Sequence, residues 1–324
     1  MRRLRVAIIG LAAALTITSA GAQSYPSRPI TVVVPFAAGG PADALARALG
    51  ERMRTSLGQT VLIENATGAS GTIGVGRVVR AAPDGYTLGI GHVGTHVVNP
   101  AVFALPFDLL KDLEPVALLP SNSLLIVSKK AFPANDLKEL IAWLKANPGK
   151  ASAATTGAGG GSHLCGLYLQ ATIGTSFQFI PYRGTGPALT DLIAGQIDLM
   201  FDQASNSLGQ VRAGTIKAYA VTARTRLPSA LDIPTVDEAG LPGFYTSTWY
   251  GMWAPKGAPK PVVARLSAAV MEALADPVVQ KRLSDQGLEF PSPERQTPEA
   301  LGAHHKAEIE KWWPIVKAAS IKAE

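Results

Sequence analysis

Ser162, His163 and Cys165 fall within four residues of one another, a cluster from which a nucleophile and its base could be drawn. Helical geometry argues against that use. The stretch "SHLCGLYLQ" reads as a helix, where neighbours one and two positions apart point in different directions, so His163 is poorly placed to deprotonate either partner. Near the C-terminus, His304, His305 and Glu308 offer ring nitrogens and a carboxylate at i, i+4 spacing. No His-Glu-x-x-His zinc motif accompanies them, and they read as the solvated face of a long terminal helix. A Gly-x-Ser-x-Gly elbow and a P-loop are both missing from the sequence. The run "GIGHVG" at 89–94 matches the dinucleotide fingerprint and follows a strand, but "THVVNPAVF" comes next and leaves little room for the helix a pyrophosphate needs.

A set of glycine-rich or polar turns placed after strands carries more weight. They are "PFAAGGPAD" (35–43), "GHVGTHVVNP" (91–100), "ATTGAGGGSHL" (154–164), "PYRGTGPAL" (181–189) and "FDQASNS" (201–207). In open α/β sheets the ligand crevice lies at the C-terminal ends of strands, so these turns can converge on one cleft. Their glycines, Gly39, Gly40, Gly157 and Gly159 to Gly161, permit close approach of backbone N–H groups. Helix N-termini there favour a carboxylate through charge-assisted bonds and the helix dipole. Thr95, Thr156 and Ser162 supply hydroxyls, and Arg183 could fork onto a second carboxylate. Asp43 reads equally as a helix N-cap, and His163 as a satisfied first-turn residue. Asp202 would repel an anion unless it orients a water, pairs with an arginine or meets an ammonium group.

The elements that must position these turns alternate along the chain. Strands are expected at 29–36, 60–65 and 86–91, with helices near 42–57 and 73–81, which implies right-handed βαβ units on a mainly parallel sheet. A second α/β set follows, from a helix at 136–149 to the strand "IKAYAVTA". The C-terminal part adds helices near 261–275, 277–286 and 297–319 without new strands, so they should pack back on the first set. That path crosses between the sets near 120–128 and 245–252, forming a two-strand hinge around a cleft. The expected division is a first lobe of 23–124 plus 247–324 and a second lobe of 125–246.

With 47% hydrophobic and 17% charged residues in 324, the chain can bury a large core. Residues 1–22 read as a secretory signal peptide: Arg2, Arg3 and Arg5, an apolar run, then Ala20-Gly21-Ala22, with cleavage after Ala22. Removing it takes Lys+Arg from 30 to 27 against 24 Asp+Glu, so the net charge drops from +6 to +3. Scattered basic residues without aromatic interleaving argue against nucleic acid. Cys165, the single cysteine, can form no intramolecular disulfide and reads as core packing. No cofactor and no metal site are expected, and no membrane span follows the signal.

Taken in order, "YPSRPITVVVPFAAGGPADALAR", "IENATGASGTIG", "AAPDGYTLGIGHVGTHVVNPAVF", "TTGAGGGSHL", "PYRGTGPALTDLIAGQIDLMFD" and "WYGMWAPKGAP" resemble the solute-binding proteins of tripartite tricarboxylate transporters, the Bug family. The likeness covers essentially the whole mature chain. It implies a periplasmic, monomeric, two-lobed binding protein of type II-like fold that captures a small carboxylated solute and delivers it to integral membrane permease subunits. It also implies a pincer of two glycine turns on the ligand carboxylate, with bridging waters. By motif these are Phe36, Ala37, Ala38, Gly39, Gly40, Pro41 and Asp43 on one side and Thr156 to His163 on the other, with Thr95 and Asp202 in matching cleft segments. Two rival readings stand beside it: a ligand sensor for a membrane receptor on the same fold, and a hydrolase or lyase using Ser162, His163 and Asp202.

Overall fold

The first β-branched run forms strand β1 (Ile30–Val34), and the Gly39-Gly40 turn opens helix α1 (Pro41–Leu57) in a computed structural model that describes residues 25–157 and 160–318. The expected signal peptide and Gly159 lie outside the described residues. Local chemistry explains the limits of α1. Gly40 is its N-cap, Pro41 occupies the first position, where no N–H is needed, and Gly58 (φ 66°) ends it by donating its N–H to the Arg54 carbonyl. Leu45, Leu49 and Met53 line the buried stripe. Strand β2 (Val61–Asn65), helix α2 (Thr72–Val79) and strand β3 (Thr87–His92) complete two βαβ passes, with β1 parallel to both other strands.

After β3 the chain departs from expectation. Residues Gly94–Val98 form a wide π-type turn that runs into a short helix α3 (Asn99–Val102), so Pro100 begins a helix there instead of preventing one. Strand β4 (Leu113–Lys129) then runs for 17 residues through both parts of the molecule. Beyond it come α4 (Leu137–Ala146), β5 (Ser152–Thr155), α5 (Gly161–Ile173), β6 (Gln178–Pro181), α6 (Thr185–Ile193), β7 (Leu199–Gln203), α7 (Ala204–Arg212) and β8 (Ile216–Val221). The remaining elements are β9 (Ser247–Pro255), α8 (Lys260–Ala275), α9 (Pro277–Asp285), the two-residue β10 (Leu288–Glu289) and α10 (Pro298–Ala318). Aspartates cap two of these helices: Asp136 accepts from the Glu139 N–H at 2.8 Å, and Asp276 from the Val278 and Val279 N–H groups at 2.9 and 3.1 Å.

The strand order is β2-β1-β3-β9-β4-β7-β5-β6. Each outer trio is parallel, while β9 and β4 run antiparallel in the middle. Along β4 the partners change: residues up to Ser123 pair with β9, and from Leu124 onward β7 and β8 take over. The apolar interior divides in the same way. Two clusters coat the faces of the first sheet, one holding α1, α8 and α9 and the other Leu301, Trp312 and Val316 of α10; two more coat the second. Cys165 is buried in the second half, where the Thr246 hydroxyl donates to Sγ at 3.3 Å and burial pushes the thiol up to about 12.

The terminal helix corrects one reading. His304, His305 and Glu308 do not form a solvated face. Alternation along β9 puts Trp249 and Trp253 on the side that α10 covers. There His305 Nε2 donates to the His96 carbonyl at 2.8 Å, and Glu308 accepts the indole N–H groups of Trp249 and Trp312 at 2.9 and 3.0 Å. The His96 ring stacks on Trp253 with centroids 3.8 Å apart. The helix thus turns polar side chains inward, where Glu308 satisfies the Trp249 indole and His305 the His96 carbonyl beneath it.

Candidate functional site

The turn after β1 is braced from beneath. Asp43, 3% exposed, accepts from the Gly39 N–H at 2.9 Å, from Arg47 Nε at 2.9 Å and from Asn65 Nδ2 at 3.0 Å, while Asn65 also donates to the Phe36 carbonyl. Burial opposes ionisation of Asp43, but these hydrogen bonds outweigh it and hold the carboxyl below its ordinary range. Asp43 is therefore not the N-cap, a place Gly40 takes; it sits in the first turn and fixes the loop. The N–H of Gly39 is spent on this brace, and its φ of 83° is the reason a glycine stands there. First-turn amides left without intrahelical partners belong to Ala42 and Asp43.

That turn forms one wall of a cavity of about 270 Å³. The first half contributes segment 36–42, His92 and Tyr250; the second contributes Thr156, segment 183–187 and Gln203. Phe36, Ala38, Gly39, Gly40, Thr156 and Arg183 are thus brought together as the sequence suggested. Among the described residues that line the cavity, Arg183 is the one fixed charge and none is a carboxylate. The N-terminus of α6 faces it as well, capped by Gly184 and including Thr185 and Gly186.

The other expected residues lie beside the cavity. Thr95 is buried and its Oγ1 bonds to the His92 backbone and to His96 Nδ1, so it positions rings instead of lining the space. Ser162 Oγ accepts the Thr156 N–H at 3.1 Å and holds that turn. His163 packs edge-on against Phe179 at 4.6 Å, and burial pulls its ring down to about 4. Gly157 has φ 99°, and a Cβ there would approach Ser70 Oγ to 3.2 Å, so the second glycine turn closely approaches the first half. Asp202 is 1% exposed; its Oδ2 accepts from Asn206 and Ser207, its Oδ1 has no hydrogen-bond partner, and burial lifts it to about 6.

Three lining residues were not singled out, although His92 and Gln203 lie in the turns 91–100 and 201–207 expected at the cleft. His92 stacks on Phe36 with centroids 4.5 Å apart, and its Nδ1 accepts the Gly94 N–H at 2.8 Å, which leaves the ring proton on Nε2 as a donor. Tyr250 donates its hydroxyl to Gln203 Oε1, a bond between the two halves, and the Gln203 amide keeps its own donors. Within those turns the finer signal was strand alternation, which sets Gln203 on the opposite face from Asp202.

The buried imidazoles make stability depend on pH. His92 and His163 are both held down to about 4 by burial, and His96, His304 and His305 are lowered too. Between about pH 6.5 and 4 the unfolded chain takes up protons that folded His92 and His163 refuse, so stability falls on acidification by up to about 1.4 kcal/mol per pH unit for each of these two. Asp202 acts in the opposite sense between about 6 and 4 and offsets part of this. Urea midpoints are expected to drop steadily from pH 6.5 to 4.5. A flat profile would contradict the buried, neutral rings.

Two α/β halves joined by paired strands, with a donor-lined cavity between them, define the fold of periplasmic binding proteins. A structure of the periplasmic binding protein BugD is 44% identical, covers 93% of this chain and 100% of its own, and superposes with a TM-score of 0.87. MatC from Rhodopseudomonas palustris, solved with bound malate, is 43% identical over 90% of this chain and 100% of its own, with a TM-score of 0.85. A further R. palustris protein, solved with adipate, is 32% identical over 92% of this chain and 99% of its own, with a TM-score of 0.86. The profile of the tripartite tricarboxylate transporter family receptor matches residues 45–321. This chain belongs to that receptor family. No helix among the described residues is long and apolar enough to cross a membrane.

Proposed function

We propose that the protein is an exported, periplasmic receptor that clamps a small carboxylate between two lobes and hands it unchanged to the permease subunits of a tripartite transporter. The carrying observation is the cavity between the halves, lined by one guanidinium, two helix N-termini and neutral donors, with no acidic side chain. Such a lining stabilises a carboxylate and disfavours a cation. The relatives solved with malate and with adipate support a solute of that class. The change of partners along β4 at 123–124 supports lobe boundaries at 23–124 plus 247–324 and 125–246. Export with cleavage after Ala22 and a monomeric state complete the reading.

Within it, the pincer is formed by the 36–42 turn and Thr156, with Arg183 and the α6 N-terminus holding the far end of the solute. A dicarboxylate fits two such anion-favouring ends. Thermal-shift measurements with malate, adipate and related acids test the class: a ligand at a hundred times its Kd adds about 2.7 kcal/mol, enough to raise the melting temperature by several degrees. Arg183→Ala is expected to weaken the responding acid roughly tenfold or more, because a charge-assisted bond is lost. A panel without any shift would overturn the carboxylate reading, and conversion of the bound acid on prolonged incubation would restore the hydrolase or lyase.

A further inference from the structure

Adjacent residues of β9 look into different cavities. Tyr250 lines the front cleft, as described, whereas Ser247 and Trp249 line a second cavity of about 450 Å³ on the opposite face of the hinge strands. On β4, Ser121 and Ser123 face this rear space with them. The cavity is also shared between the halves. Arg224 and Tyr245 reach it from the second half, and Trp312, His304 and Arg295 from the first.

Its chemistry is that of a site for a ring-bearing anion. Trp249, Trp312 and Tyr245 provide flat apolar walls. Arg224 lies over the Tyr245 ring at 4.3 Å, and among the described residues neither Arg224 nor Arg295 takes part in an ion pair. Two carboxylates also line the cavity but are engaged, Glu308 by two indole N–H groups and Lys311, and Glu289 by the Ser123 hydroxyl. The His304 ring, edge-on to Trp249 with centroids 4.7 Å apart, adds to these walls. We propose that this rear cavity is a second solute site, for a small aromatic carboxylate gripped between Arg224 and Arg295, whose occupation props the front cleft shut.

The coupling follows from leverage. The hinge strands separate the two spaces, so opening the front swings Arg224 and Tyr245 toward α10 and narrows the rear. A solute that fits only the wide rear cavity binds the closed form preferentially and shifts the population toward it. This coupling rests on the clamp reading above; the site itself does not.

Benzoate serves as the probe, followed by tryptophan fluorescence. It is titrated into the Gly40→Val protein, whose front cleft is blocked, and into the same protein carrying Arg224→Gln and Arg295→Gln. Saturable quenching is expected in the first and a roughly tenfold weaker response in the second, one decade for the lost guanidinium contacts. Equal curves, or no response in the first, overturn the site. The lever is read separately with Ser247→Trp, which fills the rear from an exposed position. Small-angle scattering of the solute-free variant should show a smaller radius of gyration than the wild type. An unchanged radius overturns the lever, whereas a smaller radius in a protein that binds no malate counts only against the carboxylate reading of the front cleft.

Discussion

Gly40→Val abolishes solute capture and leaves the fold standing. Gly40 has φ −81° and ψ 172°, an extended conformation open to any residue, and a Cβ built there meets nothing nearer than the Ala37 carbonyl at 3.6 Å. The backbone therefore accepts the branch, which stands in the cavity that Gly40 lines. A carboxylate can no longer approach the α1 amides, because the branch takes its place in the cleft. Calorimetric titration with the acid selected by thermal shift should show a loss of roughly a hundredfold or more, about 2.7 kcal/mol. The melting temperature of the solute-free protein should stay within a few degrees of wild type. Retained affinity would remove the 36–42 turn from the site. Gly39 cannot serve for this test, since at φ 83° any side chain adds strain of its own.

Gly91→Ala acts on the other side of β3 and strikes stability. A Cβ at Gly91 would lie 1.9 Å from Cε1 and 2.1 Å from Nδ1 of His96. The ring cannot yield cheaply, because it is stacked on Trp253, bonded to Thr95 and held through its own carbonyl by His305. Overpacking of this kind costs about 3 kcal/mol or more, which in a chain of this length lowers the melting temperature by roughly 6 to 12 °C. Calorimetry on the purified variant measures it. Shortening the ring in the same background, Gly91→Ala with His96→Ala, should recover part of the loss relative to the sum of the single changes. A single variant within a degree of wild type would mean that the His96 stack is not rigid.

The turn "PFAAGGPAD" was legible because strand, glycine pair, proline and acidic first-turn residue are all local, and each has one physical use at a helix start. The alternating βαβ pattern of 30–92 was legible for the same reason. What stayed hidden depends on pairing between distant segments. Tyr250 and Gln203 are 47 positions apart and meet only because β9 and β7 flank β4 on opposite sides. The role of Gly39 changed for a related reason: an amide offered to a ligand and one tied to Asp43 look identical until the loop is folded. The polar stripe of α10 misled because histidine and glutamate ordinarily mark a wet face, and nothing in the sequence announces buried indoles beneath it. Asp202 was recognised as out of place for an anion site, and its retreat toward Asn206 and Ser207 resolves the conflict.

The position of β9 between β3 and β4 also sets an order of assembly. When only the residues up to Val221 have been delivered by export, every strand of the second sheet is present, but the first sheet still lacks the member that joins β3 to the start of β4. Until Pro255 has emerged, His92 and the Gly40 turn belong to a fragment with a bare edge, and no amount of waiting completes it. One half of the receptor thus has its whole sheet in hand before the other, while the half that carries the glycine jaw is finished only when the last third of the exported chain has arrived.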